Sequence, residues 1–151
     1  MTITEIVKNA HENAVNKGFY ECPDCSGKGH VFIEGVECIC GSCVGSGKDA
    51  NKNVGELLML VVSELGEALE AHRKGSHANI ESFVFHVSDK EDKRYDDAFL
   101  IHIKDTFEDE LADTVIRIAD MCGYLGIDLA KHIELKMRYN ATRERKHGKR
   151  Y

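Results

Sequence analysis

Two sets of side chains in this 151-residue sequence have the types and spacing for chemistry: a doubled cysteine motif and, further along, two pairs of carboxylates. Cys22-Pro-Asp-Cys25-Ser-Gly-Lys-Gly29 and Cys40-Gly-Ser-Cys43-Val-Gly-Ser-Gly47 are two copies of C-x-x-C-x-G-x-G, with 14 residues between Cys25 and Cys40. Each C-x-x-C turn supplies two thiolates, and four soft sulfurs complete the tetrahedron that zinc prefers. The glycines after each pair let the backbone turn tightly around the sulfurs. Cys22, Cys25, Cys40 and Cys43 are therefore assigned as zinc ligands, with Cys38 a spare that could replace Cys40. A redox C-x-x-C needs only one pair, which disfavours that alternative. A closed four-thiolate site has no open position, so the zinc is expected to be structural. Cys122, among apolar neighbours, reads as a core residue.

The carboxylates fall as Glu64-x-x-Glu67 and Glu110-x-x-Asp113. A separation of three puts both members of a pair on one helix face, and two such helices packed antiparallel can aim four carboxylates at one point. Hard divalent cations such as Mg²⁺ choose oxygen ligands of this kind. The competing reading is a solvated acidic face. The chain carries 26 Asp and Glu, so such spacings arise by chance, and Arg117 one turn after Asp113 invites a plain ion pair. Glu64 lies beside Leu60, Val61 and Ala68, at the border of an apolar stripe, where an uncompensated carboxylate is costly to bury. Spacing alone leaves both readings open.

The elements that must position these groups are mostly helical by pattern. Ile3, Ile6, Val7, Ala10, Ala14 and Val15 recur on one side of a helix over 3–17, which Gly18 ends. Residues 20–48 hold five of the six cysteines and six of the 13 glycines, too much glycine for a helix, and read as a loop or small ribbon. A second helix is expected from about Asn53 to Lys74, with Gly75 as its stop. The stretch 76–103 is ambiguous. Its pieces ESFVFHV and DAFLIHI alternate enough for short strands, yet also suit an irregular helical insert. A third helix is expected from near Asp105 to Leu125, and a fourth from Leu129 to about Lys146 after the break at Gly126.

Composition sets outer limits. One proline and 7% aromatic residues disfavour a β-sandwich. The first residues show no basic and apolar secretory leader, and the longest apolar run, 57–62, is too short to span a bilayer, so a cytoplasmic location is expected. The net charge of −6 conceals a basic tail: residues 131–151 carry eight Lys and Arg against two Glu. An acidic body with a basic tail makes nucleic acid an unlikely partner along the whole surface, but suits a small anion bridged by metal.

The ordered motif set resembles a known family. Leu58-Met-Leu-Val-Val-Ser-Glu64-Leu-Gly-Glu67-Ala-Leu-Glu and Phe107-Glu-Asp-Glu110-Leu-Ala-Asp113-Thr-Val-Ile-Arg look like the E-x-x-E and E-x-x-D motifs of MazG-like nucleotide pyrophosphohydrolases. Lys136-Met-Arg-Tyr-Asn140-Ala-Thr-Arg143, then His147-Gly-Lys149, is similar to that family's closing pattern, and residues 3–19 to its first helix. The cysteine motifs resemble the zinc knuckles of DnaJ-type chaperones. The resemblance implies an all-α, MazG-like bundle of four main helices completed by dimerisation, as a homodimer or homotetramer. It implies one domain over 1–151, with a zinc-binding insert at about 20–48 and a variable insert at about 76–103, both longer than the family pattern has. It implies Mg²⁺ held by Glu64, Glu67, Glu110 and Asp113 as the catalytic set, and Lys136, Asn140 and Arg143 contacting a nucleoside triphosphate. The implied reaction is hydrolysis between the α and β phosphates, giving monophosphate and pyrophosphate. The alternative is a zinc-knuckle module that binds nucleic acid or protein without hydrolysis. It leaves the carboxylate pairs unexplained.

Overall fold

The computed structural model describes residues 1–49, 51–88 and 92–144. In chain order the elements are α1 (Ile3–Asn16), β1 (His30–Ile33), β2 (Val36–Ile39), α2 (Val54–Lys74), α3 (Ile80–Val87), α4 (Asp92–His102), α5 (Phe107–Leu125) and α6 (Leu129–Ala141). The described chain is thus mostly helical, with one two-stranded antiparallel sheet. No helix is long and apolar enough to cross a membrane among the described residues.

The chain divides into two compact units, residues 1–50 with 119–151, and residues 51–118, the division falling inside α5. In the first unit, α1 is started by a capping box. The Thr2 hydroxyl accepts the Glu5 N–H at 3.2 Å, and the Glu5 carboxylate accepts the Thr2 N–H at 2.7 Å. The ribbon pairs His30 with Ile39 and Ile33 with Val36, so Glu34 and Gly35 alone make the turn, with φ of 50° and 84°. Two consecutive positive φ values suit a two-residue hairpin whose twist matches its strands. Asp120 ties α5 to α1 and to the start of the cysteine loop, accepting hydrogen bonds from Tyr20 Oη and His11 Nδ1, each at 2.9 Å. The close approach of α5 to α1 needs Gly123, since a Cβ there would lie 2.5 Å from the His11 Cβ.

The second unit is built on α2. Asn53 accepts the Gly55 N–H at its start, and Gly75, at φ 68°, ends it in the left-handed conformation expected of a terminal glycine. Its buried positions are Val61, Glu64, Ala68 and Ala71, one stripe at helical spacing. Glu64 therefore lies within the buried stripe, not only at its border.

Within the ambiguous stretch 76–103, residues 80–87 and 92–102 are helical. ESFVFHV falls within α3 and DAFLIHI largely within α4, so the strand alternative does not hold. Asn79 caps α3 by accepting the Ser82 N–H at 2.9 Å, and its own N–H bonds the His102 carbonyl at 2.9 Å. The two helices bury Ala98 between them and set Phe83 edge-on to Tyr95. Short apolar runs carry no period long enough to separate strand from helix; the cap and the partner helix decide. Helix α6 also ends earlier than its pattern predicts, at Ala141, where the Thr142 hydroxyl donates to the Tyr139 carbonyl. The expected continuation to Lys146, with His147 and Lys149, lies outside the described residues from 145 onward.

Candidate functional site

The cysteine loop is a matched pair of knuckles. Cys22 Sγ lies 3.9 Å from Cys40 Sγ, and Cys25 Sγ lies 3.7 Å from Cys43 Sγ. All four are buried, free thiols, and their sulfurs lie within 4.8 Å of one another. A disulfide needs about 2.05 Å, whereas tetrahedral sulfurs around an ion at about 2.3 Å stand roughly 3.8 Å apart. The spacing fits a zinc ion and not a crosslink. The motif glycines explain how the knuckles close. A Cβ on Gly29 would sit 2.4 Å from the Gly45 carbonyl oxygen, and one on Gly47 would sit 2.2 Å from that of Gly27. Both glycines also have positive φ, of 78° and 70°. Glycine is required here twice over, by conformation and by contact.

The loop also prepares sulfurs for a cation. The Gly29 N–H points to Cys25 Sγ at 3.2 Å, and the Gly47 N–H to Cys43 Sγ at 3.3 Å. Burial opposes ionisation of Cys43, but the Gly47 N–H and the Cys40 and Cys25 thiols outweigh it and hold Cys43 at about 7. Burial pushes the Cys22 thiol up to about 11. Ligation requires thiolates, so binding of an ion at this cluster displaces protons from it. Cys38, half-buried on β2 opposite Val31, is not in the cluster.

The carboxylates meet in the second unit. One oxygen each of Glu64, Glu67 and Glu110 lie within 4.8 Å of one another. They line a cavity of about 400 Å³ together with Asp113, Asp109, Asp105, Lys104, Phe99 and Arg117. Glu110 is only 5% exposed and its carboxylate has no hydrogen-bond donor among the described residues. Burial, then the charges of Glu67, Asp109, Asp113 and Glu64, raise its pKa above the usual carboxylate range. Asp113 is exposed and is raised too, by desolvation and then by Asp109 and Glu64. The ion pair expected between Asp113 and Arg117 is not the one formed. Arg117 Nε donates instead to Glu64 Oε1 at 2.9 Å, across from α5 to α2.

Lys136, Asn140 and Arg143 belong to the first unit. Lys136 is exposed, with its ammonium 5.4 Å from the Tyr139 ring centroid. Arg143 is exposed just beyond α6, and Asn140 Oδ1 is buried without a hydrogen-bond partner among the described residues. Sequence reasoning missed Lys104 and Phe99 as cavity residues. They sit at the end of the ambiguous stretch, where no pattern separated them from other surface residues. No family model, curated protein or solved structure matches this chain.

Proposed function

We propose that the chain is a Mg²⁺-dependent, MazG-like nucleoside triphosphate pyrophosphohydrolase, braced by a structural zinc at Cys22, Cys25, Cys40 and Cys43. The observation that carries this reading is Glu110, a residue only 5% exposed whose carboxylate lines the cavity without a donor among the described residues and faces two others within 4.8 Å. A solvated acidic face has no need to bury such a group, and isolated burial of its charge is costly. A divalent cation removes that cost. Oxygens around Mg²⁺ at about 2.1 Å stand roughly 3 to 4 Å apart, so small closures of these side chains suffice.

Bound Mg²⁺ supplies charge neutralisation of the polyphosphate and Lewis-acid polarisation. Glu64, Glu67, Glu110 and Asp113 hold it, and an exposed carboxylate of the set, Glu67 or Asp113, orients the attacking water. Arg117, donating from Nε to Glu64 Oε1 at 2.9 Å, fixes the position of that side chain. Lys136, Asn140 and Arg143 are the substrate contacts that the resemblance implies. The apolar side of α2, with Leu58, Val62, Leu65 and Leu69 all about half exposed, supports assembly as a dimer or tetramer.

Incubation with Mg²⁺ and a panel of ribo- and deoxyribonucleoside triphosphates, followed by chromatography, tests the reaction. Monophosphate plus pyrophosphate, lost in EDTA, is the expected result; diphosphate plus phosphate, or no turnover, counts against it. A second reading, a zinc-knuckle protein-interaction module without hydrolysis, is favoured by the exposed Phe32, Ile33, Val36 and Ile39 on the hairpin. Absence of turnover together with partner capture through the hairpin supports that alternative.

A further inference from the structure

The turn between α4 and α5 is held in place by more contacts than its exposure requires. Asp105 has φ of 59°, a left-handed conformation that aspartate adopts at a cost. Three interactions impose it. The Asp105 N–H donates to Asp109 Oδ2 at 3.1 Å, the Ser76 hydroxyl reaches the Asp105 carbonyl at 3.4 Å, and Lys104 Nζ meets Asp105 Oδ1 at 2.6 Å. The result sets Lys104 on the wall of the carboxylate cavity, where Arg117 is the other cation. The Asp105 carboxylate raises the Lys104 pKa, so the ammonium is firmly charged. Arg117 engages Glu64 through Nε, and its two Nη groups make no hydrogen bond to a described residue.

Among the described residues, five carboxylates other than Asp105 line this cavity with two cations. Four acids around one divalent ion leave the site still negative, so an anionic ligand is held only where cations meet its remaining oxygens. Inorganic diphosphate groups present several such oxygens along a chain, and ammonium and guanidinium groups lining one cavity bind them by charge-assisted hydrogen bonds.

We propose that Lys104 and Arg117 are the phosphate-gripping residues of this cavity, and that its ligand is a metal-chelated di- or triphosphate whose tail lies along the α4–α5 turn. This rests on the reading of the carboxylates as a divalent-metal site. It assigns to the variable insert a positioning role, since the insert ends at the turn that presents Lys104.

The test uses the full zinc-loaded chain and two probes, Mn²⁺ alone and inorganic pyrophosphate in saturating Mn²⁺, both followed by calorimetric titration. Lys104→Gln is expected to leave Mn²⁺ affinity within about twofold and to weaken pyrophosphate roughly tenfold, with Lys104→Arg restoring most of it. Asp105→Gly, which suits the left-handed turn but frees Lys104, is expected to keep the fold and to weaken pyrophosphate less than Lys104→Gln does. Pyrophosphate affinity unchanged in Lys104→Gln overturns the proposal while leaving the metal site intact. A parallel fall in Mn²⁺ affinity also overturns it, because Lys104 then acts through the metal or the fold. Failure of Mn²⁺ to bind the parent, or binding indifferent to Glu67→Gln and Glu110→Gln, removes the metal reading and this one with it.

Discussion

Glu110 is the residue on which the metal reading is easiest to break. Its folded pKa is raised, so its neutral form favours the fold: that contribution is present below the ordinary carboxylate range and is lost as pH rises through the raised value. Asp113 acts in the same direction. A divalent cation reverses the penalty only where the carboxylates are ionised. The gain in melting temperature on adding Mg²⁺ should therefore be larger at pH 8 than at pH 5, as scanning fluorimetry would read. Glu110→Gln should raise the melting temperature of metal-free protein at pH 8 and abolish the Mg²⁺ gain. It should also cut turnover by about a hundredfold or more. Retention of turnover would remove Glu110 from the machinery. Glu108, its near neighbour on α5, behaves oppositely. The Ala78 N–H and then His77 hold its carboxyl at about 2. Its contribution is present above the ordinary carboxylate range and is lost as pH falls toward that value. Glu108→Ala should lower the melting temperature at pH 7, with the difference shrinking toward pH 2.

At the scale of elements, the cysteine loop, whose four thiols could hold a zinc ion, is expected to depend on metal in a way the helices do not. Residues 20–48 bury little besides the four cysteines and Tyr20, and such small loops gain most of their folding free energy from the ion. Removal of zinc by a strong chelator should unfold this segment, seen as fast amide exchange over 20–48, while amides of α2 stay protected. Gly47→Ala places a Cβ against the Gly27 carbonyl at a φ of 70°. It should cost on the order of 2 kcal/mol and speed zinc transfer to a chromophoric chelator. Zinc release at the parental rate would mean that the knuckles tolerate wider separation than their packed glycines indicate.

For the molecule as a whole, the exposed apolar side of α2 sets the expectation of assembly. Leu58, Val62, Leu65 and Leu69 recur at helical spacing, a face that an isolated chain leaves in water. Sedimentation velocity should find a dimer or larger species, and Val62→Asp with Leu65→Asp should shift it to monomer. A monomeric parent would leave this face for another partner and would count against the bundle that the resemblance implies.

Much of this was legible in the chain before any fold was drawn. The doubled C-x-x-C-x-G-x-G determined the four sulfurs and the need for glycine, because ligand chemistry and positive φ are local demands that short spacings record. Helices α1, α2 and α5 were expected from the sequence, with Gly75 as the stop of α2. The carboxylate pairs were visible as pairs, but not their meeting, nor the partner Arg117 would choose. Its i,i+4 neighbour Asp113 lost to Glu64, since a buried carboxylate gains more from a guanidinium than an exposed one does. Tertiary structure alone decided that 80–87 and 92–102 are helical, because two short apolar runs become helices by capping and packing against each other. It alone brought Lys104 to the acids, through a left-handed turn held by Asp109 one turn on and by Ser76, distant in sequence.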